Sequence, residues 1–162
     1  MKLPRIVVMP GSRRREALSR RVAQVCAQAV REAGAEVELV DLDDYPAPLY
    51  DGDLEAASGL PEGIVRLQRV LHASDGLLLV NPEYNGSLTP LLKNTLDWCS
   101  RPNPADAERS GGKVYAGRAA AVVGPSPPLV SVERRRTARM RATSSSSAYS
   151  FIRKPTEPRF MP

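Results

Sequence analysis

The chain has 162 residues, 42% hydrophobic and 25% charged, which is material for one globular core and leaves no apolar run of the roughly 20 residues that a membrane helix needs. The net charge of +5 sits at one end: residues 1–124 hold 15 Lys and Arg against 16 Asp and Glu, and residues 125–162 hold 8 against 2. The pI therefore says nothing about what the body binds, and a nucleic-acid partner is not expected, because the tail interleaves no aromatic stacking pattern beyond Tyr149, Phe151 and Phe160. The distant Cys26 and Cys99 form neither a metal-ligand nor a redox pattern, so a reduced, cytoplasmic setting is expected.

Residues 5–9 are a continuous apolar run ended by Pro10-Gly11, as in a parallel strand buried on both faces. From about 18 to 33, Val22, Cys26, Ala29, Val30 and Ala33 recur at helical steps, and Gly34 closes the helix. Residues 36–41 alternate polar and apolar, as a half-exposed strand does. The stretch 43–60, with Pro46, Pro48, Gly52 and Gly59, is expected to be irregular. Pro61 opens a second helix with Ile64, Leu67, Leu71 and Ser74 on one face; His72 beside them reads as structural or surface. Gly76–Val80 is a second buried strand, residues 90–100 a third helix with Leu91, Leu92, Leu96 and Cys99 inward, and Ala119–Val123 a fourth strand. Serial strand–helix units predict a doubly wound parallel sheet in three α/β/α layers.

The pattern then stops. Residues 127–162 have no amphipathic period and carry the runs Arg134-Arg135-Arg136 and Ser144 to Ser147. The expected organisation is a domain over 1–126 and, over 127–162, an atypical basic tail, poorly ordered, in which the final strand and helix of such a sheet are missing or irregular. A shift of reading frame is the expected cause of that change: plausible GC-rich codons for 144–162, read in another frame, would turn the four serines into leucines and give a helix end and a strand.

Two turns carry candidate chemistry. The first joins strand to helix through Gly11, Ser12 and Arg14, with Ser19 in the helix start. Gly11 permits the tight turn, the hydroxyls and Arg14 can contact phosphate oxygens, and a helix N-terminus favours an anion. The same residues would equally make a capped helix start with solvated arginines. The second turn, Pro82-Glu83-Tyr84-Asn85-Gly86-Ser87, follows the central strand. Asn85-Gly86 leaves room for a flat ring to approach the backbone, and Tyr84 can cover a ring face. In open α/β sheets ligands bind at this carboxyl edge.

These motifs, with the run from Asp41 to Asp51 and Leu92-Lys93-Asn94-x-Leu96-Asp97-Trp98, resemble the NADPH-dependent FMN reductase family of quinone, chromate and azo-dye reductases, over roughly residues 3–126. The resemblance implies a flavodoxin-like fold, FMN as cofactor, NADPH or NADH as donor and a small-molecule acceptor, working by ping-pong with no catalytic side chain and no metal. It assigns Ser12, Arg14 and Ser19 to the FMN phosphate, Pro82, Glu83, Tyr84, Asn85, Gly86 and Ser87 to the ring and ribityl chain, and Gly124 and Ser126 to a third loop. The chain departs from the family with Ala17 in place of Ser, Ser19 in place of Asn, and Pro127-Pro128 where glycines usually follow. Family members pair as homodimers or homotetramers, for which Tyr84, Trp98 and the third helix are candidate contacts. A non-catalytic flavin-binding electron carrier, or a weakly active apo protein with an altered C-terminus, is the alternative.

Overall fold

The continuous apolar runs become the two central strands. Val7, Val8 and Met9 have no exposed surface, and Leu77, Leu79 and Val80 are buried beside them, because each strand is covered on both faces. The computed structural model describes residues 2–124; Ser126 and every expectation placed on the tail lie outside them. The elements run β1 (Arg5–Pro10), α1 (Leu18–Glu32), β2 (Glu36–Leu39), α2 (Gly52–Ser58), α3 (Glu62–His72), β3 (Gly76–Val80), α4 (Pro90–Cys99) and β4 (Ala119–Val123), with two short 3-10 helices, Pro104–Arg109 and Gly111–Val114, before β4. All pairings are parallel and the order is β2-β1-β3-β4. The doubly wound, three-layer arrangement predicted from the sequence is present.

Strand alternation divides the core. Val7, Met9, Leu77 and Leu79 pack with Ile64, Leu67, Leu71, Leu92, Trp98 and Cys99 of α3 and α4. Val8 and Val80 face α1 through Ala23 and Ala27. The buried stripe of α1 is thus Ser19, Ala23 and Ala27, not the predicted stripe that includes Ala29 and Ala33, both of which are exposed. Small side chains let the helix lie close on the sheet, while the larger Leu18 and Val25 face outward.

The stretch 43–60 is not wholly irregular. Asp51 caps α2, its carboxylate accepting from the Asp53 and Leu54 N–H groups at 2.8 and 3.3 Å, and Gly59 ends the helix at φ +70°. Pro61 is the cap of α3 rather than its first residue. The buried face of α3 includes Gln68, whose amide donates to Cys99 O at 3.1 Å and Arg101 O at 2.7 Å and so ties α3 to the end of α4.

Trp98 is fully buried, with Nε1 donating to Pro48 O at 2.9 Å and its ring edge-on to Tyr50 at 5.0 Å. It is a core residue, which removes it from the candidate subunit contacts. Cys99 is also buried, and burial pushes its thiol up to about 12; burial raises Cys26 as well, so neither is a poised thiolate. His72 is half-buried at the end of α3, where its carbonyl accepts from Arg118. No described helix is long and apolar enough to cross a membrane.

Candidate functional site

The first turn leaves β1 at Gly11, whose N–H donates to Val80 O at 2.8 Å and whose carbonyl accepts from Thr89 Oγ1 at 2.7 Å. A Cβ at Gly11 would lie 3.0 Å from Asn81 Oδ1, 3.2 Å from Thr89 Oγ1 and 3.3 Å from Leu92 Cβ. A side chain at Gly11 would push these neighbours back by a few tenths of an ångström, so glycine suits the close approach of the two turns.

The second turn begins at Asn81, which is buried. Its Oδ1 accepts from the Thr89 N–H at 3.0 Å, its Nδ2 donates to Pro82 O at 2.8 Å, and its own N–H donates to Val123 O at 2.8 Å. Thr89 also caps α4, accepting from Leu92 N–H at 3.2 Å ahead of Pro90 in the first helical turn. Between them Tyr84 and Ser87 exchange two backbone hydrogen bonds of 3.1 Å, and Asn85 and Gly86 take φ +53° and +76°, a two-residue hairpin with both central residues left-handed. Glu83, Tyr84, Asn85, Gly86 and Ser87 are exposed, and Pro82 is half-buried. Gly124 completes the rim: a Cβ there would meet Asn81 O at 2.7 Å.

The ends of β1, β3 and β4 therefore meet; the candidate residues Gly11, Ser12, Arg14, Pro82 to Ser87 and Gly124 belong to the turns at that edge, and Ser19 is the second residue of α1. Sequence reasoning missed Asn81 and Thr89, which join those turns. The available signals were a polar residue directly after a buried strand and a Thr directly before a helix-opening Pro.

The acidic residue of the first turn, Glu16, is paired with Arg21 at 3.0 Å. Ala17 precedes α1 with no side-chain cap, and no acidic residue occupies the first turn of the helix. Ser12 Oγ accepts from the Arg14 N–H at 3.3 Å, which leaves its own proton to donate. Ser19 Oγ is buried and has no hydrogen-bond partner among the described residues, a deficit that a ligand oxygen would relieve. Ala17 is buried and brings no hydroxyl.

Four arginines surround the turn. Arg13 lies 3.1 Å from Asp43, and Arg20 reaches Asp41 at 2.7 and 2.9 Å and Asp43 at 3.0 Å. Arg14 and Arg15 are exposed and have no carboxylate partner among the described residues. Partial burial pushes the Asp41 carboxyl up, but the Asp43 N–H and the guanidinium groups of Arg20 and Arg13 outweigh it, and the carboxyl is held below its ordinary range. An uncapped helix start, a buried unpaired hydroxyl and two uncompensated arginines fit a phosphate.

Residues 4–141 match the sequence model of the NADPH-dependent FMN reductases. The chain belongs to that family. It is 34% identical over 122 residues to a 2-hydroxy-1,4-benzoquinone reductase of a Burkholderia species, covering 75% of this chain and 60% of that one. It is 35% identical over 125 residues to a quinone reductase of Pseudomonas putida, covering 77% and 61%. The solved structure of FerB, a flavoenzyme NAD(P)H:(acceptor) oxidoreductase from Paracoccus denitrificans, superposes with a TM-score of 0.62 at 33% identity over 79% of this chain and 63% of that chain. The chain thus spans about three fifths of the length of these two curated relatives.

Proposed function

We propose that this protein is an FMN-dependent oxidoreductase that takes hydride from NADPH or NADH and reduces a small acceptor, with quinones the first class to test. One observation carries this reading: the two turns joined through Gly11, Asn81 and Thr89 bring a helix start with no side-chain cap beside an open Tyr84–Ser87 hairpin on one sheet edge.

Gly11, Ser12, Arg14 and Ser19 hold the FMN phosphate in this reading. Pro82, Glu83, Tyr84, Asn85, Gly86 and Ser87 wall the ring and ribityl chain, and Gly124 and Ser126 begin the third side. Bound flavin supplies the redox chemistry, accepting hydride from the nicotinamide and returning two electrons to the acceptor. The chain's own residues bind, orient and leave one ring face open, so donor and acceptor use the same place in turn. Ping-pong kinetics is the expected signature. The exposed hairpin favours direct access by substrates over the shielded flavin of a pure electron carrier.

Loading the purified protein with FMN tests the assignment. The expected result is a yellow complex that bleaches on adding NADPH and recovers its colour with a quinone; no saturable uptake of FMN would remove the reading. Arg14→Ala should weaken FMN about tenfold and leave riboflavin unchanged, as loss of one charge-assisted contact to phosphate predicts.

The remaining expectations belong to the same proposal. The protein works in the cytoplasm with both thiols reduced, as a homodimer or homotetramer whose contacts include Tyr84 and α4; light scattering measures the assembly. The change of pattern after Ser126 reflects a shifted reading frame, which sequencing the gene and measuring intact mass decide.

A further inference from the structure

Arg20 occupies an unusual place for a cation beside a candidate phosphate turn. It is the third residue of α1 and folds back beneath the turn, with Nε donating to Ser12 O at 3.2 Å and Nη2 to Arg13 O at 3.4 Å. The same guanidinium grips both oxygens of Asp41 and one of Asp43, beyond the end of β2. Arg13 adds Leu42 O at 3.3 Å to its pairing with Asp43. Each nitrogen of Arg20 is thus engaged by the protein, so it is not itself the phosphate ligand.

We propose that Arg20 is a positioning residue for the phosphate turn: it fixes the carbonyls of Ser12 and Arg13 away from the ligand and neutralises Asp41 and Asp43, leaving Arg14 and Arg15 as the cations that meet the phosphate. This rests on the reading of the first turn as the FMN phosphate site. Two physical effects act together. Carbonyls turned back towards Arg20 present the opposite side of the turn, with its N–H groups, to the anion. Two carboxylates left uncompensated near the turn would repel a phosphate dianion. The fork geometry matters, because one planar group serves two carbonyls and two carboxylates at once.

Arg20 lines an open cleft of about 360 Å³ with Pro10, Arg15, Gln24, Leu39 and Asp41, on the β2 flank of the turn. Truncating it therefore opens that cleft and does not perforate the core.

The test compares FMN with riboflavin, which differ only in the phosphate, by flavin fluorescence quenching on the full chain with Arg20→Ala, Arg20→Lys and Asp41→Asn. Arg20→Ala should lower the preference for FMN over riboflavin about tenfold while the riboflavin dissociation constant stays within about twofold. Arg20→Lys should recover only part of that preference, and Asp41→Asn, which removes one of the two repelling carboxylates while Arg20 keeps Ser12 O, Arg13 O and Asp43, should hold the preference at or above the native value. An unchanged FMN preference in Arg20→Ala, or an equal loss for both flavins, overturns the proposal and leaves the functional reading standing. A native chain that takes up neither flavin, or binds both equally, removes the phosphate site and this role with it.

Discussion

Thr89 makes two bonds that no neighbouring residue can replace, one to Gly11 O and one to the start of α4. Thr89→Val keeps the shape and removes both, leaving a buried carbonyl and a helix amide unpaired; the expected cost is about 1–3 kcal/mol, read as a lowered denaturation midpoint. Gly124→Ala should also destabilise, because the new methyl would sit 2.7 Å from Asn81 O, which is backbone and has nowhere to go. Local signals exposed Gly11 and Asn85-Gly86, since a tight turn and a left-handed pair are written in the adjacent residues. Thr89 and Asn81 were hidden for the opposite reason. The partner of Thr89 lies 78 positions away along the chain, and no local pattern encodes that meeting.

Element positions followed from periodicity, whereas the contacts between elements did not. The strand–helix alternation gave every described strand and the three longer helices, but α1 presents alanines to the sheet, and a count of larger apolar residues points to the wrong stripe. Helix α2 was obscured by prolines and glycines around it, although Asp51 with Asp53 and Glu55 carries its start signal. The lone tryptophan belongs to this scale. Buried between α4 and the Pro48 loop, Trp98 should be almost insensitive to iodide quenching, and Trp98→Ala should cost about 3–5 kcal/mol in chemical denaturation. Glu55 joins α2 to the end of α4: Arg101 donates to both its oxygens at 2.9 and 2.8 Å, and Tyr50 to one at 2.9 Å. The Arg101 hydrogen bond, above all, holds its carboxyl below the ordinary range, as Asp41 is also held. Carboxyls depressed in the folded state contribute stability that is fully present above about pH 5 and is lost as pH falls through their folded values. Melting temperature should therefore drop below about pH 5, and Glu55→Gln should flatten that acid limb.

At the scale of the whole molecule, alternating strands and helices made the doubly wound class legible. The order β2-β1-β3-β4 was not, because it is set by which crossovers pack together rather than by any strand's own residues. One property of that order concerns stability. Among the described residues β4 pairs with β3 alone, and Ala119 and Ala120 at its start are exposed. The start of β4 carries little buried apolar surface, and segments with few buried contacts open at a lower free energy than the core. Because β4 runs into Gly124 and abuts Asn81, such fraying begins in the wall of the proposed flavin site and leaves α3 and α4 in place. A heated yellow sample should consequently release its chromophore, seen as a rise in free-flavin fluorescence, several degrees before its far-ultraviolet dichroism collapses.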